Sequence, residues 1–156
     1  MATSRRNSAL PVEEFYAVGT ISAADIIGTS AGQLGHANGY VLVPAPSTSG
    51  QFDKVVEFVS AILSLDFSVA AFTGGGNTTI NIGDGGAALS GLVSNANFIQ
   101  ATADKVIQFV PLAATFLTLS SDKGINLVTA SAPTDPGTAA SVIKYRVVYR
   151  VHTTGL

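Results

Sequence analysis

The chain has 156 residues, no cysteine, a formal net charge of −2 and only 12% charged residues against 47% hydrophobic ones, with a mean hydropathy of +0.41. That length fits one ordinary domain able to bury roughly two thirds of its unfolded surface unaided; the missing cysteines exclude a disulfide framework, thiolate metal sites and a cysteine nucleophile. With so little charge, a free monomer would tend to associate, so part of the surface is expected to lie against other subunits.

Residues 1–14, MATSRRNSALPVEE, are polar and lack an apolar pattern; they read as an N-terminal arm, and no apolar run follows Arg5 and Arg6 as a secretory signal would require. Residues 15–156 read as a single β-sandwich domain, because short apolar runs are separated by clusters of Gly, Ser, Asn, Asp and Pro. Strands are predicted over 15–21 and 23–27, and over 39–46, where Pro44 and Pro46 place the run at a strand end or sheet edge. The clearest strand is 59–68, with Val59, Ala61, Leu63, Leu65 and Phe67 on one face and Ser60, Ile62, Ser64, Asp66 and Ser68 on the other. The stretch from Val55 to Phe72 is the most apolar, but Glu57 and Asp66 interrupt it and no membrane span is expected.

Further along, a strand over 78–82 follows the GGGN turn of Gly74 to Asn77, and residues 94–104 could hold a turn or two of helix capped by Ser94 or Asn95. Strands over 105–112, 115–119 and 125–130 follow, the last two joined by the SSDKG hairpin loop, in which Gly124 is expected to supply a positive φ. The final strand, 142–152, sets Ile143, Tyr145, Val147, Tyr149 and Val151 against Lys144, Arg146, Arg150 and His152, with Val148 the one apolar exception on the charged face. Its apolar period over so long a run predicts a strand central to the fold. Some eight strands at this spacing predict an antiparallel all-β sandwich, jelly-roll-like, and nothing alternates strand with long helix as a parallel sheet would need.

No motif supplies chemistry. The glycines at 74–76 and 83–86 are followed by neither Lys-Ser/Thr nor a long helix, so they read as turns and not as a phosphate cradle. His36 and His152 have no companion at ligand spacing, Glu13 and Glu14 sit in the arm, and Asp25, Asp66 and Asp84 are isolated. Asn77-Thr78-Thr79 matches a glycosylation sequon but reads most simply as a polar turn. No cofactor, no metal and no enzymatic activity are therefore expected. The basic stripe Lys144, Arg146, Arg150 and His152 is the one charge pattern that suggests a site, and with Arg5 and Arg6 it forms the candidate protein interface, facing an acidic neighbour. An acidic pI near 5.5 and the lack of interleaved exposed aromatics argue against nucleic acid.

The segment GYVLVPAP, STSGQ, KVVEFVSAILSLDF, VAAFTGGGNTTINI over 39–82 resembles a turn-and-strand pattern of small virion proteins of tailed bacteriophages. The end, TDPGTAASVIKYRVVYRVHTTGL, is similar to it as well, and together the two segments span more than half of the chain. The resemblance is to jelly-roll head decoration (cement) proteins. It implies a virion subunit, assembled in the bacterial cytoplasm, that forms a homo-oligomer, a trimer, and binds the major capsid protein or other virion subunits; it carries over no catalytic residue. The competing readings are a receptor-binding or fibre- and tail-associated module recognising host glycan, marked by a cluster of exposed rings, and a hydrolase, marked by two carboxylates within about 10 Å in a cleft.

Overall fold

In the computed structural model, the described residues are 12–46, 54–83, 86–112, 123–135, 137 and 141–153. Arg5 and Arg6, the strand expected over 115–119 and most of the SSDKG loop lie outside them. In chain order the elements are β1 (Val12–Ile21), α1 (Ala23–Ile27), β2 (Tyr40–Val43), β3 (Lys54–Asp66), β4 (Thr73–Gly74), β5 (Thr78–Ile82), a 3-10 turn (Asn95–Asn97), β6 (Lys105–Phe109), β7 (Ile125–Thr129), β8 (Pro133–Thr134) and β9 (Val142–Thr153). All strand pairings among the described residues are antiparallel. The larger, four-stranded sheet has the order β1-β9-β3-β6, the smaller, three-stranded one β2-β7-β5, and β4 pairs with β8 apart from both.

The core lies between the sheets. From the larger sheet come Ile21, Val56, Phe58, Ala61, Leu63, Leu65, Phe109, Ile143 and Val147; from the smaller come Leu42, Val43, Ile80, Ile82, Ile125 and Leu127. The connections add Ile26, Leu34, Phe72, Phe98 and Ile99. The expected alternation of β9 is present, with Ile143 and Val147 fully buried, and the strand is interior to its sheet, flanked by β1 and β3.

Several sequence expectations need correction. Residues 23–27 are a short helix and not a strand, because Ser22 caps it: its Oγ accepts from the Asp25 N–H at 3.2 Å and donates to Asp25 Oδ2 at 2.7 Å. The arm expected over 1–14 gives up its last three residues to β1, which begins at Val12 because β9 is long enough to offer a partner, His152, to that residue. In β3 the regular alternation is interrupted by a bulge between Phe58 and Ser60, so Val59 is the extra residue and not a member of the packed row. Phe67 lies past the strand end, where its N–H donates to Asp104 Oδ1 at 2.9 Å. Gly124 has no positive φ; a side chain there is excluded by close approach, since a Cβ would sit 2.0 Å from the Val43 carbonyl oxygen. The GGGN turn does need left-handed backbone, with φ of 67°, 84° and 63° at Gly74, Gly75 and Gly76.

Gly19 on β1 is kept small by packing. It lies opposite Tyr145, whose ring covers it so closely that a Cβ would stand 2.6 Å from Cζ. Burial pushes the Tyr145 phenol pKa up, the neighbouring Tyr40 adding to the shift, and the two rings meet edge to face at 6.3 Å. Gly19→Ala is expected to destabilise by about 1–3 kcal/mol through overpacking. Pairing it with Tyr145→Val should return part of that loss in a double-mutant cycle read by urea denaturation; additive effects would mean that the ring moves aside freely.

Candidate interface on the outer face of the larger sheet

Alternation sends Lys144, Arg146, Val148, Arg150 and His152 to the face of β9 turned away from the core. The register then decides what stands beside each. Glu14 of β1 and Glu57 of β3 both lie opposite Arg150; Val18 and Ile62 flank Arg146; Thr20 and Ser64 flank Lys144. The β3 bulge matters here, because it brings Phe58 opposite Tyr149, on the core side, and so leaves Glu57 outward beside Arg150.

Three of the four expected interface residues on β9 find acids within their own chain. Lys144 Nζ donates to Asp66 Oδ2 at 2.8 Å, and this hydrogen bond and charge together raise its pKa above the ordinary lysine value. Arg150 Nε donates to Glu14 Oε2 at 3.0 Å, with its Nη1 3.9 Å from Glu57. His152 Nε2 lies 2.7 Å from the same Glu57 carboxylate, which can only accept, so Nε2 is the nitrogen that carries a proton. These pairs are half exposed, so water screens them and they add little to stability. They join β9 to β1 through Glu14 and to β3 through Glu57 and Asp66.

Arg146 differs. Among the described residues no carboxylate is within ion-pair reach of it; its guanidinium lies 5.3 Å from the centroid of the Tyr16 ring. Around it stand Tyr16 (66% exposed), Val18 (62%) and Ile62 (48%), with Val106 (71%) one row further along on β6. An arginine without a carboxylate partner among the described residues, beside exposed tyrosine, valine and isoleucine side chains, has the composition of an interface centre, where arginine and tyrosine are enriched. Sequence reading found the arginine and missed its apolar neighbours, although Ile62 and Val148 are visible as apolar exceptions on otherwise polar faces.

The other candidates separate. His36 sits in a loop, its Nδ1 accepting from the Asn38 N–H at 3.1 Å. Among the described residues no three His, Asp or Glu side chains gather as a metal site would need, and no helix is long and apolar enough to cross a membrane. Glu14 and Glu57 are brought together on the outer sheet face, but with the Arg150 guanidinium between them, where a glycosidase would need space for a sugar ring and a water. The exposed rings of Phe15 and Tyr16 point to opposite faces of β1, Phe15 stacking on Tyr149 at 5.6 Å, so these two do not form the cluster that sugar recognition favours.

No protein-family model and no curated protein matches the chain. Among solved structures it is similar to a chain described as "Cyanophage Pam1 capsid asymmetric unit", with 15% identity, coverage of 98% of this chain and 92% of that one, and a TM-score of 0.44.

Proposed function

We propose that the chain is a non-enzymatic structural subunit of a tailed-bacteriophage virion, a jelly-roll-like decoration (cement) protein that associates with copies of itself, as a trimer, and docks on the major capsid protein. The phage-like turn-and-strand pattern of residues 39–82 and of the C-terminal strand supports the virion assignment, and the charge-poor composition supports a life in assemblies. The observation that carries the docking role is Arg146, without a carboxylate partner among the described residues, beside exposed Tyr16, Val18 and Ile62 on the outer face of the larger sheet. Its complement on the capsid is a carboxylate ringed by apolar side chains, which would satisfy the guanidinium in a desolvated setting.

The test is binding of Arg146→Glu to heads of the parent phage stripped of this subunit. Charge reversal at such a centre is expected to weaken binding at least about tenfold, equal to 1.4 kcal/mol, while thermal stability stays within about 0.5 kcal/mol of the parent because the side chain is exposed. Arg150→Glu is a poor probe, since it would bring three carboxylates together within the fold. If Arg146→Glu binds heads as tightly as the parent across salt concentrations, this face is solvated and the docking role fails.

A further inference from the structure

The two edges of the larger sheet are built differently. The β6 edge is short, five residues, begins at Lys105 and is followed closely by Pro111, all devices that discourage another strand from adding. The β1 edge is longer, and its flanking proline, Pro11, comes before its first residue. It runs ten residues without proline, lysine or arginine, and its pairing with β9 is unbroken by any bulge. Among the described residues it hydrogen-bonds to β9 alone, so its other row of backbone N–H and C=O groups is unpaired. Six of its residues from Val12 to Val18 are exposed, among them Val12, Phe15, Tyr16 and Val18.

We propose that this edge pairs antiparallel with β1 of a second copy about a two-fold axis, making one continuous eight-stranded sheet from the two four-stranded ones. The strand is self-complementary for that purpose. Paired residues must share a face, so the axis lies midway between a residue and its own equivalent, and the two registers of fullest overlap centre it on Tyr16 or on Ala17. With the axis at Ala17, Tyr16 meets the second copy's Val18 and Glu14 meets its Thr20; with the axis at Tyr16, Glu14 meets Val18 and Glu13 meets Gly19. In neither register do acids face acids, although both of the strand's charges are negative and lie at one end. The side chains exposed at the edge are thus covered by their own equivalents, as an isologous contact requires. The contact links copies in pairs through the strand edge, whereas docking uses the outer face beside Arg146, to which Tyr16 and Val18 also contribute; it is compatible with three-fold association.

The cysteine-free chain allows a direct test. Tyr16→Cys and Ala17→Cys are made singly in the full chain, with Val69→Cys, 74% exposed in a distant loop, as the control. Under mild oxidation at micromolar protein, one of the two edge variants is expected to form a two-chain species about tenfold or more faster than the control, because pairing raises the local thiol concentration. Adding Val18→Lys should slow that cross-linking while circular dichroism stays unchanged. Cross-linking no faster than that of Val69→Cys overturns the proposal, and so does cross-linking that Val18→Lys leaves intact but Arg146→Glu abolishes, which would place self-association on the sheet face. Head binding lost in Arg146→Glu with edge cross-linking retained supports the proposal and separates it from the docking role.

Discussion

Val147→Asp is expected to unfold the protein at room temperature. Val147 is fully buried at the middle of the strand that holds the larger sheet together, between Ala17 of β1 and Ala61 of β3. The exchange loses about 1.5–3 kcal/mol of apolar burial and places an unpaired carboxylate in the core, at a further several kcal/mol. Against a total stability of about 5–15 kcal/mol for a domain, little remains. Val148→Asp, one residue on, is the matched control: its side chain is on the outer face between two arginines of the same strand, and the cost is expected to stay below about 1 kcal/mol. Urea denaturation followed by circular dichroism reads both. Equal stabilities would mean that β9 does not divide core from surface as its alternation requires. Truncation before Val142 is expected to unfold the domain for the same reason, since it removes the partner of both β1 and β3.

The strands that could be read from the sequence are those with one buried face and a regular period. β9 and the second half of β3 carry that signal in their own residues, as Ile143, Tyr145 and Val147 and as Ala61, Leu63 and Leu65 do. Where local chemistry competes with period, the reading failed. Ala23 to Ile27 is apolar enough for a strand, but Ser22 and Asp25 are spaced to cap a helix, and the cap decides. The start of β1 failed for another reason: Val12, Glu13 and Glu14 have no pattern of their own and are ordered by pairing with residues at the far end of the chain.

The same division applies to the candidate site. Lys144, Arg146, Arg150 and His152 share a face by alternation alone, which a sequence displays. Their partners do not follow from alternation, because Glu14, Glu57 and Asp66 reach them only through the β1-β9-β3 order and its register. Without that order the four side chains look equivalent. With it, three have a carboxylate partner within the chain and Arg146 is set apart.

Deletion of Val59 is expected to leave the protein folded, which is unusual for a residue inside a long strand of a central sheet. Before the bulge, β3 buries Val56 and Phe58; after it, Ala61, Leu63 and Leu65, so the parity of the buried positions changes across Val59. Removing Val59 leaves Phe58 opposite Tyr149 and Ser60 opposite Val148, as they already are, and converts the bulge to regular ladder. The expected cost is about 1–2 kcal/mol for a half-buried valine and a change in local twist. Val148 faces the same spot from β9 and is equally half-buried, but its strand pairs with β1 over ten residues with no bulge to absorb a shift. Deleting it turns one half of β9 over, so that either Ile143, Tyr145 and Val147 face outward or Arg150 and His152 face the core. Each outcome costs several kcal/mol, by lost burial in the first case and buried charge in the second. The deletion of Val148 should therefore yield no cooperative unfolding transition, whereas that of Val59 should keep one with a slope close to the parent's. Loss of the transition in both would show that the bulge is needed for the curvature of the sheet and does more than absorb a residue.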